Sequence, residues 1–415
     1  MWSCSAETEA LNHTGSTFIV SAPGKVILFG EHAVLYGYPA IAVSIDLRCY
    51  FSTTIAKCES RVPSIEIRFC NLSNIPVVIN NPVQHIPSPQ LTSKQLVYKA
   101  WKMVSTVSGE SKLSAAATSP MASSACIFHY LLSRILQRTT KCPGPLLLSN
   151  HTARIDVNSD IPVQAGLGSS AAFCVCATVT LLSLCGLLPF GSTRMLTYNE
   201  QELVKSLAHE AESIVHGTPS GIDTAICVQG GGICFTRNGD STTITKLFAP
   251  PGFMLHLLIV NSKVSRSTAA IARSVAETRA FEADRVDQIM RDIGDVVQTA
   301  LDVFSGSQPT SMLGPLVSKN HQLLVNLGVS CPQLDTIVSE LSSLGLAAKI
   351  TGAGCGGCVF AITNESDRNS TDLFQQAVRR LQARGFWATT VAAFSRAVLI
   401  QTDGGEDIRQ SISNS

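Results

Sequence analysis

The residues of this sequence that could do chemistry are gathered in three glycine-rich segments. In the segment Pro162-Val163-Gln164-Ala165-Gly166-Leu167-Gly168-Ser169-Ser170-Ala171-Ala172, a predicted strand gives way to a predicted helix. Small residues let the backbone approach a ligand closely, and the unpaired N–H groups of a helix start attract phosphate. The paired serines add hydroxyls, one of which could reach a nucleotide-bound Mg2+. A second segment, Pro23 to Val34, sets Lys25, Glu31 and His32 among apolar strand residues, where charges are costly unless paired. The third is Gly352-Ala353-Gly354-Cys355-Gly356-Gly357. It fits G-x-G-x-x-G but leads into another strand-like run rather than a helix, so it reads as a loop packed closely on a ligand or another backbone.

Gly166, Gly168 and Ala171 also satisfy the G-x-G-x-x-A pattern of dinucleotide-binding folds. Two observations count against an oxidoreductase: the loop lies far into the chain, and no Asp or Glu follows about 20 residues on to hold a ribose. No Walker A lysine follows any of the glycines, and the catalytic-loop and DFG signatures of protein kinases are missing. Phosphate chemistry here belongs to another class of kinase.

The elements that must position these loops can be read in outline. Thr17 to Ala22 and Lys25 to Phe29 read as two strands meeting at a tight turn, Pro23-Gly24, with Ala40 to Ile45 and Arg48 to Ile55 continuing the sheet. Gln95 to Val107 is a predicted helix in an otherwise poorly patterned stretch, and Ala125 to Arg138 an apolar helix stopped by Pro143 and Gly144. Leu146 to Asn158 reads as strand, Ser169 to Leu184 and Glu200 to Val215 as helices, and Ile226 to Thr236 as strand. On the helix Glu200 to Val215, Glu210 and Glu212 both flank the apolar stripe, and periodicity does not choose between them. Beyond a boundary near 245 come strand Met254 to Val260, helices about Thr268 to Val303, Leu313 to Leu327 and Pro332 to Leu344 (N-cap Ser330), and strands Ala347 to Thr351 and Cys358 to Ile362. Helix Thr371 to Arg384 and a strand near Thr389 to Phe394 complete a split βαβ order, as in ferredoxin-like domains.

Composition sets the bounds. The chain has 415 residues, 45% hydrophobic and 15% charged, with a formal charge of +1. That length suggests two domains, and the balanced charge excludes the basic footprint of a nucleic-acid binder. The 14 cysteines lack a disulfide or zinc spacing and read as reduced, mostly buried small apolar residues. The polar start from Met1 to Gly15 lacks the apolar core of a secretory signal, so a cytoplasmic protein is expected. Ile161 to Thr193 contains no charged residue and is long enough to cross a bilayer. Its glycines, its polar residues and the missing aromatic and basic flanks point instead to an interior helix, with no membrane partner.

In this order and spacing the three segments resemble the GHMP kinases: Ser21-Ala22-Pro23-Gly24-Lys25 through Gly30-Glu31-His32-Ala33-Val34, Pro162 to Ala172, and Lys349-Ile350-Thr351-Gly352-Ala353-Gly354 through Cys358. Within that family, His216-Gly217-Thr218-Pro219-Ser220-Gly221-Ile222-Asp223 is similar to members that act on mevalonate. Galactokinases would carry Gly-Glu-His-Thr-Asp where this chain has Gly30-Glu31-His32-Ala33-Val34. The resemblance implies an α+β GHMP kinase fold: an N-terminal ribosomal protein S5 domain 2-like α/β domain over residues 17–245 and a C-terminal ferredoxin-like α+β domain over 246–400. It implies ATP- and Mg2+-dependent phosphorylation of the mevalonate 5-hydroxyl by a homodimer. Asp223 would be the catalytic carboxylate with Lys25 beside it, both also facing the substrate. Gly166, Leu167, Gly168, Ser169, Ser170 and Ala171 would cradle the ATP phosphates, and Ser170 and Glu212 would be Mg2+ ligands. Glu31, His32, Arg266 and Thr268 match family positions near mevalonate. Cys355 and Phe29 depart from the Gly common in relatives and the His of some relatives, and the region 57–124 is expected to serve adenine binding and a lid. Within the family, another small-alcohol kinase, galactokinase-like or acting on phosphomevalonate, is the alternative. Outside catalysis the alternative is a silent ligand sensor, against which the joint presence of Lys25, Ser170, Glu212 and Asp223 speaks.

Overall fold

The computed structural model describes residues 15–57, 62–71, 77–80, 82, 95, 98, 100, 120–138, 151–216, 220–239, 241–250, 252–363 and 370–402. Most of the region 57–124, including most of the predicted helix Gln95 to Val107, lies outside them, as do residues 146–150 of the predicted strand Leu146 to Asn158.

The strands form two sheets. The first is built on β1 (Thr17–Phe29) and β2 (Pro39–Lys57), two long antiparallel strands whose residues are almost all buried in their central parts. On one side of β1 come β13 (Leu399–Thr402) and then β6 (Arg194–Met195). On the far side of β2, β5 (His151–Ser159) pairs its C-terminal half, followed by β3 (Ser64–Phe69) and β4 (Val77–Asn80). The N-terminal half of β2 pairs β7 (Gly232–Asn238), which pairs β8 (Ser241–Leu247).

The expected two strands meeting at Pro23-Gly24 are one strand. The register against β2 shifts between Pro23 and Gly24, so the proline marks an irregularity that bends β1 rather than a turn that ends it. Gly24 suits the bend because a Cβ there would lie 2.9 Å from the Leu167 carbonyl oxygen. The next residue donates to that same oxygen, Lys25 N to Leu167 O at 2.9 Å. The kink therefore docks β1 on the second glycine loop. Likewise Ala40 to Ile45 and Arg48 to Ile55 are parts of the single strand β2.

Against the sheet lie α2 (Ser169–Leu184) and α4 (Ile222–Gln229), and α1 (Pro120–Arg138) and α3 (Tyr198–His216) pack on α2. Fourteen of the sixteen residues of α2 are buried, the pattern of a helix surrounded by protein on all sides. The uncharged run is thus a central interior helix, and among the described residues no helix is long and apolar enough to cross a membrane. The predicted strand Ile226 to Thr236 is corrected: its first part is α4, flanked by Gly221 and Gly230 at positive φ, and strand begins only at Gly232. The run Ile226-Cys227-Val228 is buried, so its continuous apolarity could not distinguish an interior helix from a strand.

The second sheet runs β10 (Leu346–Ile350), β11 (Cys358–Thr363), β9 (His256–Asn261), β12 (Trp387–Ala392), all antiparallel. In chain order this is 2-3-1-4, the arrangement of a split βαβ domain. Of the helices that follow, α5 (Thr268–Phe281) packs on α6 (Ala283–Phe304), which lies against β1 and β2, while α7 (Leu313–Asn326), α8 (Pro332–Ser343) and α9 (Ser370–Ala383) pack on the second sheet. The N-cap of α8 is Cys331 rather than Ser330, whose hydroxyl donates to Asp335 instead. From β12 the chain returns to the first sheet. Arg48, 1% exposed, fixes that return by donating to Ser21 O, Arg396 O, Ala397 O and the hydroxyls of Ser21 and Ser395. Among the described residues the cysteines are free thiols and mostly buried.

Candidate active site

The second glycine loop ends where α2 begins. Gly166 and Gly168 hold φ of 82° and 80°, and Gly168 is the N-cap of the helix. Left-handed backbone at both glycines turns the chain sharply from loop into helix, and the first N–H groups of α2 have no intrahelical acceptor. Lys25 lies directly against this turn: a Cβ on Gly168 would sit 2.9 Å from Lys25 Cγ. The lysine is buried, and its Nζ stands 3.3 Å from Asp223 Oδ1. Asp223 occupies the first turn of α4, where a carboxylate is favoured by the helix dipole, and it is the more exposed partner.

Glu212 comes to the same place from α3. It is 4% exposed, and its Oε2 accepts from Thr224 Oγ1 at 2.7 Å. Burial first, and then the charge of Asp223, push its carboxyl up to about 7. Glu210 is held elsewhere, by Arg134 Nε at 2.8 Å and Tyr130 Oη at 3.3 Å, so only Glu212 of the two glutamates adjoins Asp223. Ser170, in the first turn of α2, bonds the buried thiol of Cys174 one turn further along.

The remaining predicted residues stand beside the third glycine loop. His32 Nε2 is 2.8 Å from Ala353 O of the third glycine loop, and burial pulls its imidazole below the ordinary value. Glu31 is buried and ion-paired to Lys349 of β10. Arg266 threads between the loops: Nη1 donates to Thr351 O at 3.3 Å and to Gly356 O at 3.4 Å. Its guanidinium is packed so tightly that a Cβ on Gly166, Gly352 or Gly357 would overlap it. Arg266 carries the third loop across to the second. Thr268 opens α5 with an exposed side chain, and Ser267 Oγ caps that helix by accepting from Ala270 N.

The structure thus brings together Lys25, Asp223, Glu212 and the second glycine loop, and sets Arg266, Glu31 and His32 beside them; Thr268 stands at the rim. Residues that sequence reasoning missed are Thr224, which orients Glu212, Lys349, which pairs Glu31, and Arg48. Lys349 carried a usable signal, a lone cation in the strand Leu346-Ala347-Ala348-Lys349-Ile350. Arg48 carried none, since its partners are chiefly backbone carbonyls distant in sequence.

A hard-oxygen pair of one carboxylate and one hydroxyl, Glu212 and Ser170, suits Mg2+ that also binds nucleotide phosphates. The buried carboxyl of Glu212 beside Asp223 supports that fit, since two neighbouring acids favour a cation. Among the described residues no group of three or more His, Cys, Asp or Glu could hold a metal ion.

Similarity to known proteins extends over most of the chain. The model of the GHMP kinases N terminal domain matches residues 130–231, and that of the GHMP kinases C terminal matches residues 307–384. A galactokinase galactose-binding signature matches residues 8–54. The chain is 31% identical to a mevalonate kinase of Candida albicans over 89% of this chain and 86% of that protein. It is 30% identical to a mevalonate kinase of Bos taurus over 90% of this chain and 93% of that protein. Among solved structures, the mevalonate kinase of Methanococcus jannaschii superposes with a TM-score of 0.65 at 23% identity, covering 90% of this chain and 97% of that one. That of L. major, solved in complex with R-mevalonate, gives 0.61 at 22% identity, covering 91% and 96%. With an α+β fold of two sheets, three glycine segments brought together at one site, and relatives of this identity along most of its length, the chain belongs to the GHMP kinase family.

Proposed function

We propose that the chain is an ATP-dependent mevalonate kinase, which transfers the γ-phosphoryl group to the 5-hydroxyl of mevalonate and yields 5-phosphomevalonate and ADP, an early step toward isoprenoids and sterols. The observation that carries the reading is the Lys25–Asp223 pair, 3.3 Å apart, set against the N-terminal glycine loop of a buried helix. Phosphoryl transfer asks mainly for positioning and charge stabilisation. Asp223 accepts or orients the alcohol proton, and the Lys25 ammonium lowers the alcohol's pKa and steadies charge on the transferring group. Backbone N–H groups around Gly166, Leu167, Gly168, Ser169, Ser170 and Ala171 receive the ATP phosphates. Ser170 and Glu212 would hold Mg2+, which would supply neutralisation of the phosphate charge. Glu31, His32, Arg266 and Thr268 form the mevalonate side, with Arg266 matching its carboxylate.

The galactose-binding signature over residues 8–54 favours a second reading, a galactokinase-like enzyme. Ala33-Val34, where a galactokinase would carry Thr-Asp, speaks against it. ADP release measured with mevalonate, phosphomevalonate, galactose and homoserine, each with and without Mg2+, separates the readings. Mg2+-dependent turnover of mevalonate is expected. Turnover of galactose but not mevalonate overturns the proposal, and binding of ATP without turnover of any of the four would mark a ligand sensor. We extend the reading to a cytoplasmic homodimer, tested by fractionation and by light scattering of the purified protein.

A further inference from the structure

Lys349 is fully buried in β10, at a position where every neighbour in the strand is apolar. An ammonium there needs partners. It has three: Glu31 Oε1, which accepts from Nζ, Ile350 O at 2.7 Å, and the ring of Phe360 with its centroid 5.2 Å away. Glu31 belongs to the first sheet's glycine segment, so the ion pair crosses from one sheet to the other. Two neutral contacts run beside it. Thr351 Oγ1 accepts from Ile27 N at 3.2 Å and donates to Ile27 O at 3.0 Å, and His32 meets Ala353 O. Those contacts would hold the two segments together without any charge.

The second oxygen of Glu31 distinguishes the ion pair from a simple brace. Oε2 is buried and has no hydrogen-bond partner among the described residues. A buried carboxylate oxygen left unpaired in a folded chain calls for an explanation, and a donor on a ligand supplies one. Glu31 also lies close enough to His32 and Arg266 for its charge to act on both. An apolar pair would serve stability alone at least as well as a buried ion pair.

The geometry points to Lys349 as a positioning residue for the acceptor substrate: by bonding Oε1 it fixes the Glu31 carboxylate beside His32 and Arg266, with Oε2 left as the unpaired oxygen that the alcohol would engage. The inference rests on the reading of this site as one for mevalonate. It predicts that Lys349 acts on mevalonate and not on ATP, and only through Glu31.

The test is a double-mutant cycle read as separate KM values. Lys349→Met raises the KM for mevalonate roughly 10- to 100-fold, in the range found when the partner that orients a ligating group is removed. The KM for ATP stays within about threefold, the split expected when only one substrate loses its contact. Added to Glu31→Gln, the same substitution changes the mevalonate KM no further. Because Lys349→Met strands a buried carboxylate, it can fail to fold. The Glu31→Gln/Lys349→Met chain removes both charges, and its comparison with Glu31→Gln then decides the matter. A mevalonate KM unchanged in Lys349→Met, or a further large rise when it is added to Glu31→Gln, overturns the positioning role. Absence of mevalonate turnover by the unmodified chain overturns the functional reading itself and with it the substrate assigned to Glu31.

Discussion

Gly166 and Arg266 are packed directly together: a Cβ added at Gly166 would lie 1.8 Å from Arg266 Nη2. Gly166 belongs to the loop before α2 and Arg266 to the segment after β9, so this contact joins the two halves of the site. The guanidinium cannot simply withdraw, because Gly352 and Gly357 close on it from the other side, where added Cβ atoms would lie 2.8 Å from Nη2 and 2.7 Å from Cζ. Three glycines shape one arginine's channel, and that arginine is the cation proposed for the mevalonate carboxylate.

Gly166→Ala should therefore impair both substrates at once. The new methyl group must displace Arg266 and also sits on backbone at φ 82°, a conformation costing an L-residue about 1–2 kcal/mol. A displacement of about 1 Å in positioned groups costs roughly 100-fold in rate. We expect kcat/KM to fall by at least that factor for mevalonate and for ATP, with the protein still folded by circular dichroism. A variant with unaltered mevalonate kinetics would show that Arg266 has room to move and does not set the acceptor's position.

Asp223→Asn should separate binding from chemistry. The amide keeps the shape of the side chain but cannot take a proton, and it removes the charge opposite Lys25 Nζ at 3.3 Å. Turnover should drop by roughly 100- to 10,000-fold, the span attributed to a positioned acid or base. ATP affinity, followed by titration calorimetry, should change little, because the proposed seat of the nucleotide is the loop at α2. Unchanged turnover would remove Asp223 from its proposed role.

How far the sequence foretold this site follows from the range of the interactions involved. The second loop and α2 were legible because glycine, serine and an apolar run are local signals, and Ser169–Leu184 is the helix observed. The split βαβ order was legible for the same reason, as alternating periods along the chain. The unity of β1 was not, because Pro23-Gly24 signals a turn locally while its bend is fixed by Leu167, far away in sequence. Nor was α4, whose apolar run fits helix and strand equally until its burial is known. Glu210 and Glu212 could not be told apart from periodicity; Arg134 and Thr224, on other helices, make the distinction.

Cys355→Gly should be neutral or stabilising. Cys355 holds φ 50° in the third loop, and its N–H donates to Val329 O at 2.8 Å. Relief of left-handed strain gains about 1–2 kcal/mol, and the added freedom of glycine in the unfolded chain costs about 0.5–1 kcal/mol. The expected net change is a gain of about 0–1.5 kcal/mol in urea unfolding. Its neighbour behaves oppositely: Gly354→Ala would place a Cβ 2.1 Å from the Val329 carbonyl oxygen, and should destabilise by about 1–3 kcal/mol. A clear loss of stability in Cys355→Gly would mean that the thiol packs more favourably than its backbone is strained.

Stability in mild acid should depend on His321. This side chain of α7 is largely buried with Nδ1 unpaired among the described residues, and desolvation, reinforced by the nearby charge of Lys349, pulls its imidazole down to about 4 from 6.5. The folded protein thus resists protonation that the unfolded chain accepts. Between those two values the unfolded state binds more protons, so stability is fully present above about pH 6.5 and falls as pH drops toward 4. The loss from this one group is on the order of 3 kcal/mol at the acid end. His321→Gln, which cannot titrate, should flatten the dependence of urea-unfolding free energy on pH across this window while leaving the profile above pH 7 parallel to that of the unmodified chain. Equal slopes for the two proteins between pH 6.5 and 4.5 would locate the acid sensitivity in other groups and remove His321 from this account.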